Sequence, residues 1–379
     1  MKQILIISFW NPTPEEPGKG IFIHEQVDMV CKDRNDVVFL EVNILASKTS
    51  MLSVNIWEMD YYTNKKIVIS IYSLFWKALF LSPALIFLFV KRILNKKFPW
   101  VNPALVHSNV IYPCGIVGYR LAQKYNSQHI ISEHWSKSDK ILKHPLFGSA
   151  ALKVYRNSKA ILCVSTFLAN KIKAHVNTSN IIIVPNIVDS KTFAFQPKCT
   201  ERDTSLHFTC VATWKLPKRL DLIIQSVIAF SAQTKQRIIL NVVGNGRQTQ
   251  DFLDVQLPDN LIINWLGFIK KNEIAQLLTR TDIFMHASEI ETFSIVTLEA
   301  LSTGTPVLAS NVGALPELIN KNNGELVENT INDWIRGLSE ITNKDFDHKS
   351  IAAEIANKYS PETIVQRIKN IYQDCLDSM

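Results

Sequence analysis

At 379 residues the chain is too long for one ordinary domain and suits two of about 190 residues, and with 47% hydrophobic residues both halves can bury a core. The six cysteines, at 31, 114, 163, 199, 210 and 375, are scattered with no CxxC pair, which argues against a zinc site or a disulfide framework and fits a reducing cytoplasm. The net charge of +7 is uneven: residues 1–190 hold 22 Lys and Arg against 12 Asp and Glu, a net of +10, while residues 191–379 hold 19 against 22, a net of −3.

Strand-like apolar runs alternate with helix-like stretches in both halves, the pattern of an α/β chain with parallel sheets. The opening run Lys2–Phe9 is too short for a signal peptide, lacks a small-residue cleavage site and runs into Pro12 and Pro14, so it reads as a first core strand, Ile4–Ser8. The stretch Pro17–Gln26 is a glycine-containing loop opening a helix, Phe22–Lys32. Gly18 and Gly20 there would let the backbone approach a phosphate closely, although turn glycines are common. Strands are expected at Val37–Val42, Leu105–His107, His129–Ser132, Ala160–Val164 and Ile181–Val184, with a helix at Pro113–Lys124. His134 falls just past one of these strands. A lone histidine there is more often structural, but the turn is also the favoured place for a functional one.

The segment Ile67–Leu94 admits three readings. Its run Ala78–Val90 is apolar except at Ser82 and Pro83, and Lys77, Lys91, Arg92, Lys96 and Lys97 flank it. It is short for a membrane span. It reads as a buried helix of the first domain, or as a basic, apolar helix lying on an anionic bilayer. The bilayer reading accounts for the charge asymmetry, which the buried-helix reading does not, since a basic first half suggests an anionic partner for that half alone.

Pro185–Arg202 reads as a linker. Beyond it, strands are expected at His207–Ala212, Ile238–Val243, Leu261–Leu266, Ile283–His286, Pro306–Ala309 and Gly324–Val327, and helices at Leu220–Ser231, Lys271–Thr279 and Ser294–Thr303. Lys218 and Arg219 at the start of the first of these helices would oppose its dipole unless they serve an anion. Gly244 and Gly246 make a glycine turn after Val243. The tail has Ser360 at a cap position and Pro361 at the first helical position, which predicts a final helix.

Glu291 and Glu299 are the most informative pair. Glu291 falls in the turn at the carboxyl end of the strand Asp282–Ser288, and Glu299 lies about two helical turns further on. In open α/β sheets ligands bind at that turn, with anions held by helix N-terminal N–H groups. A diphosphate would sit there, and a carboxylate two turns along could accept from ribose hydroxyls. On spacing alone, an exposed loop glutamate and a helix-surface glutamate serve equally well.

Taken in order, these residues resemble the GT-B glycosyltransferases, specifically retaining glycosyltransferase family 4. The second half matches best: the basic turn with Lys218, the Val-Gly-x-Gly turn at 243–246, the Leu-Gly turn at 266–267, Asp282, and Glu291-x7-Glu299 followed by Gly304-Thr-Pro306. The first half resembles the family less specifically, through Gly18, Gly20, Phe22, Gln26, His107, Glu133-His134, Ser165 and Pro185-Asn186-x-Val-Asp189. The resemblance implies two Rossmann-like domains facing a cleft: an acceptor domain, 1–190, and a nucleotide-sugar domain, 191–360, with the helix 361–379 crossing back to the first. It implies that Lys218 binds the donor diphosphate and that Glu291 contacts the donor sugar or supports its transfer. Phe293 and Ser294 would hold sugar and phosphates through their backbone, and Glu299 the ribose. His134 would lie beside the donor sugar, and the Gly20 loop would approach the phosphates. Donors aimed at a departing diphosphate stabilise its charge, so no metal or other cofactor is required beyond a UDP- or GDP-linked donor.

The chain departs from the family's pattern at three positions. Thr213 stands where an Arg is usual, which removes one phosphate-binding cation unless Arg219 compensates; Thr292 and Ile187 each replace a glycine. Asp345-Phe-Asp347 has the form of a metal–diphosphate DxD motif but sits in a polar connector, where it reads as surface. The expectation is therefore a retaining, metal-independent hexosyltransferase in surface-glycan assembly. Its acceptor would be lipid-linked or polysaccharide, it would sit peripherally on the inner face of a membrane, and no nucleic-acid partner is expected. A non-catalytic nucleotide-sugar-binding subunit and a GT-B epimerase are the alternatives. Retention of Lys218, Glu291, Glu299 and His134 together argues against the first, and no additional acid/base residues identify the second.

Overall fold

The computed structural model describes residues 2–13, 16, 18–197 and 204–378. Pro14, Pro17, Cys199 and the linker positions 198–202 lie outside the described residues. Contacts divide the chain into two compact units, Met1–Asn186 with Ile364–Met379, and Ile187–Thr363. The first boundary falls four residues before the expected 190, and the C-terminal segment is part of the first unit.

The first unit is built on eight strands: β1 (Ile4–Ser8), β2 (Val37–Ala46), β3 (Ser53–Tyr61), β4 (Asn64–Ser73), β5 (Leu105–Asn109), β6 (Gln128–Glu133), β7 (Ala160–Cys163) and β8 (Ile181–Ile183). Their order is β3-β4-β2-β1-β5-β6-β7-β8, parallel except for β3, which runs antiparallel to β4 at the edge. The sequence reading missed the β3–β4 hairpin. Its two-residue connection is Tyr62-Thr63, with Tyr62 at φ 55°, so the Asn-Gly signature that usually marks such a turn is absent.

The segment Ile67–Leu94 is not one helix. Its start belongs to β4, and the apolar run is split into helices Trp76–Phe80 and Pro83–Lys97, the second capped by Ser82 accepting from the Leu85 N–H. Proline cannot continue the first helix but suits the first position of the second. Ile86, Val90 and Leu94, spaced by four, are fully buried against the alternate residues Leu5, Ile7, Leu40, Ile67, Ile69 and Ile71 of the sheet. Burying each is worth about 1.5–3 kcal/mol, so one face of this helix is core. Among the described residues no helix is long and apolar enough to cross a membrane.

The expected helix at Pro113–Lys124 starts late. A π-type turn covers Ile111–Gly115 and the α-helix is Ile116–Tyr125. The final helix, Pro361–Asp377, is tied into the first unit by Tyr372, whose hydroxyl meets His107 Nδ1 at 2.7 Å, and by Lys2 Nζ donating to the Leu376 carbonyl at 2.6 Å.

The second unit has six parallel strands: β9 (Leu206–Val211), β10 (Ile238–Val243), β11 (Leu261–Gly267), β12 (Ile283–His286), β13 (Val307–Ser310) and β14 (Gly324–Val327), in the order β11-β10-β9-β12-β13-β14. Chain order reverses between β9 and β12, the switch point at whose carboxyl edge open α/β sheets bind ligands. The helices Leu220–Ser231 and Lys271–Thr279 run as expected, and the one after β12 spans Ile295–Ser302.

Candidate functional site

At the second unit's switch point, the turns leaving β9 and β12 are stitched together. Arg219 N–H donates to the Ala287 carbonyl at 3.1 Å, Glu289 N–H to Pro217 at 2.9 Å, and Lys218 pairs with Ser288 in an isolated bridge. This pairing sets Lys218 opposite Glu291, and its ammonium donates to Glu291 Oε2. His286, the last residue of β12, lies 3.1 Å from each of these two groups through Nε2. Burial pushes the Glu291 pKa up, but the Lys218 charge is the largest of the effects that together hold the carboxyl well below its usual range. Burial and Lys218 together lower the His286 pKa, with Glu291 opposing. Lys218, Glu291 and a neutral His286 therefore form one charged cluster.

The backbone at Glu291 is fixed from behind. Its carbonyl accepts from Ala314 N–H at 2.9 Å, and a β-carbon on Gly313, which has φ +59°, would lie 2.0 Å from that carbonyl oxygen. Ser288 is held by Ser310 Oγ at 3.0 Å on its N–H and by Asn329 Nδ2 at 2.9 Å on its carbonyl. Neither glutamate of the pair is the exposed group that spacing alone allowed. Glu291 is mostly buried, and Glu299 is 8% exposed within the helix Ile295–Ser302.

Ser294 precedes that helix in a left-handed conformation, φ 69°, unusual for a serine. Its hydroxyl meets Thr297 Oγ1 at 2.8 Å and His286 Nε2 at 3.3 Å. The N–H groups of the first turn have no partner within the helix, so they face the same edge as Lys218 and Glu291. Phe293 is buried and meets the Tyr359 ring edge-on at 5.9 Å. Gly244 ends β10, its N–H donating to the Gly267 carbonyl at 2.6 Å.

Arg219 is already engaged. Its guanidinium donates to Asp221 at 2.7, 2.9 and 3.1 Å, with Glu289 at 3.9 Å. The dipole conflict raised by two cations at this helix start is met by carboxylates of the chain itself, Asp221 for Arg219 and Glu291 for Lys218. Asp347 of the DxD-like triplet caps the helix His348–Tyr359, accepting from Ser350 N–H at 2.9 Å.

In the first unit, His134 follows β6 and is buried, with its ring 4.8 Å from that of Phe22. Burial pushes its pKa down to about 3; the Asn186 side chain opposes this weakly. Among the described residues neither ring nitrogen has a partner in hydrogen-bond geometry, Asn186 included. Unpaired buried polar atoms are costly. Glu133 fixes the backbone here: Oε1 accepts from the N–H groups of His134 and Trp135 at 3.0 and 2.9 Å, and Oε2 from Ile111 N–H at 3.0 Å and Tyr155 OH at 2.7 Å. Gly20 is required by its surroundings. It has φ +67°, and a β-carbon would lie 2.0 Å from the Trp10 carbonyl oxygen. Gly18 is exposed with open space around it.

The structure thus groups Lys218, Glu291 and Ser294 in one cluster, and holds His134, Gly18 and Gly20 in the other unit. Sequence reasoning missed His286, Gly313, Ser310 and Asn329. His286 had one available signal, a histidine ending an otherwise apolar buried strand.

The profile for "Glycosyl transferases group 1" matches residues 193–362, and that for "Glycosyltransferase Family 4" matches residues 26–192. An uncharacterized glycosyltransferase of Methanocaldococcus jannaschii is 26% identical over 280 residues, 72% of this chain and 76% of that protein. The gpi3 subunit of the Schizosaccharomyces pombe phosphatidylinositol N-acetylglucosaminyltransferase is 25% identical over 223 residues, 56% of this chain and 48% of that one. Among solved structures, sucrose-phosphate synthase from Thermosynechococcus elongatus is similar with a TM-score of 0.75 at 17% identity, covering 100% of both chains. At that identity the likeness speaks to the fold alone.

Proposed function

The chain belongs to the group 1, family 4 glycosyltransferases and has the GT-B fold; on that premise we propose that it moves a sugar from a UDP- or GDP-linked donor to a lipid-linked or polysaccharide acceptor, with retention at the anomeric carbon and no required metal. The observation that carries this reading is the Lys218–Glu291–His286 cluster at the sheet switch point, beside the start of the helix Ile295–Ser302. Cleaving the anomeric C–O bond leaves charge on the diphosphate. Lys218 and the helix N–H groups supply fixed positive charge for it. Glu291 belongs with the donor sugar and Glu299 with the ribose hydroxyls. His134 is the proposed second catalytic residue, present as a neutral imidazole at physiological pH. Arg219, held by Asp221, is not proposed as a substitute for the cation missing at Thr213.

A lipid-linked acceptor and a peripheral position on the inner face of a membrane are supported by the first unit's surface. Leu74, Phe75, Leu81, Leu85 and Leu88 are exposed, and Met51 and Leu52 join them through the Ser50–Leu74 and Ser73–Met51 hydrogen bonds. Lys77, Arg92, Lys96 and Lys97 are exposed around them. Apolar groups among basic ones suit an anionic bilayer. The acceptor named for the fission-yeast relative, phosphatidylinositol, is of that class.

The test is a panel of UDP- and GDP-sugars scored for binding, slow hydrolysis and transfer to a mixed lipid extract. Glu291→Gln is expected to abolish transfer with little change in nucleotide affinity, and Lys218→Ala to weaken nucleotide binding. Nucleotide binding without turnover of any donor would instead establish the non-catalytic subunit. Sedimentation with anionic liposomes is expected to fall with salt and with Phe75→Asp; sedimentation insensitive to both removes the membrane assignment.

A further inference from the structure

One nitrogen faces three polar groups in this cluster. His286 Nε2 lies 3.1 Å from Lys218 Nζ, 3.1 Å from Glu291 Oε2 and 3.3 Å from Ser294 Oγ, and its side chain is 2% exposed. A neutral imidazole nitrogen either accepts or donates, so it cannot serve the ammonium and the carboxylate at once. With Lys218 bound to Glu291, the ammonium offers Nε2 a donor while already neutralising the carboxylate. The tautomer that fits carries its proton on Nδ1.

Under the proposed function, a nucleoside diphosphate competes for the same ammonium. A carboxylate as buried as Glu291 cannot lose its cation without cost, because an uncompensated buried charge is strongly unfavourable. The nearest group able to replace it is His286, provided that its proton moves from Nδ1 to Nε2. No net proton is taken up; one N–H bond breaks and one forms on the same ring.

We propose that His286 is the positioning residue for Glu291, switching from acceptor of a Lys218 hydrogen bond to donor toward Glu291 when Lys218 is drawn to a nucleoside diphosphate. This rests on the proposed donor site. The imidazole also faces the Ser294 hydroxyl, which accepts or donates with either tautomer, and the Phe284 ring, stacked at 6.4 Å.

The experiment is nitrogen-15 NMR of histidine-labelled protein, with the His286 signals identified by their loss in His286→Gln. Wild type without nucleotide is expected to show an unprotonated Nε2, and Lys218→Met, which removes the ammonium without any ligand, a protonated one. Adding UDP or GDP to wild type is expected to move the signals in the same direction. A protonated Nε2 in nucleotide-free wild type, or an unprotonated one in Lys218→Met, overturns the proposal. Kinetics give a second readout. His286→Leu is expected to lower kcat by about 10-fold to 100-fold, as a misplaced reacting group does, with nucleotide affinity within about 3-fold of wild type on the same argument. His286→Gln, whose amide can donate, is expected to recover most of kcat. Equal losses in the two variants, or a raised KM at unchanged kcat, would also overturn it. If the tautomer switches as expected but no donor is turned over, the proposed function falls while the assignment of His286 stands.

Discussion

The first unit is expected to lose stability steeply in mild acid. His107, His129 and His134 are buried, and burial pushes each pKa down to about 3. In an unfolded chain these groups titrate near 6.5. The folded pKa lies below the unfolded one, so the unfolded state binds more protons between the two values. Stability fully present above pH 6.5 is therefore lost as pH falls toward 3. Between pH 7 and pH 5 each imidazole forfeits about 2 kcal/mol, and the three together about 6 kcal/mol, by the same linkage. A whole domain is stable by only about 5–15 kcal/mol. Glu133, whose pKa burial raises, works in the opposite sense and softens the loss. The assay is urea unfolding at several pH values across this window. His107→Gln is the diagnostic variant, because an amide can still bond Tyr372 and Ser132, which His107 meets at 2.7 and 2.8 Å. It is expected to be less stable at neutral pH but to show about 2 kcal/mol less pH dependence. A wild type whose stability is flat from pH 7 to 5, or a variant with an unchanged slope, would refute the reasoning.

Lys218→Met leaves Glu291 buried without its cation and is expected to destabilise the second unit by about 3–5 kcal/mol; adding Glu291→Gln should recover most of it in chemical denaturation, and no recovery would mean that the two are not coupled. Gly313→Ala places a methyl on the Glu291 carbonyl from a left-handed backbone, and a loss of about 2 kcal/mol or more with loss of transfer is expected; a stable, active variant would show that this turn does not position Glu291. Asp347→Ala should cost about 1 kcal/mol as a lost helix cap and leave transfer unchanged at any divalent-cation concentration. A metal-dependent loss of activity there would restore the DxD reading.

The central strands β1, β10 and β12 were legible as largely apolar runs ended by a turn signal and begin and end where the sequence places them, as does the edge strand β14. The β3–β4 hairpin was not, because alternation in β3 is irregular and its turn has neither glycine nor asparagine at 62 or 63. Of the candidate site residues named from sequence, Lys218, Glu291 and Ser294 are grouped together by the fold. The site was illegible where function depends on what a residue faces. Nothing in the run Ile283–His286 tells which groups the imidazole meets, and nothing around Gly313 tells which carbonyl presses on it. Arg219 shows the same limit: the sequence displays its charge but not that its guanidinium meets Asp221 two positions on.

The C-terminal helix has a consequence for synthesis and truncation. Because Ile364–Met379 belongs with Met1–Asn186, the first unit is not finished when its first 186 residues leave the ribosome. The second unit is one uninterrupted stretch of chain and can complete its core earlier, although it is made later. Until the last helix emerges, His107 lacks the Tyr372 hydroxyl and Lys2 lacks its carbonyl partner. A truncation before Ile364 would therefore act as a lesion of the unit built on Met1–Asn186, leaving it unfinished and protease-sensitive.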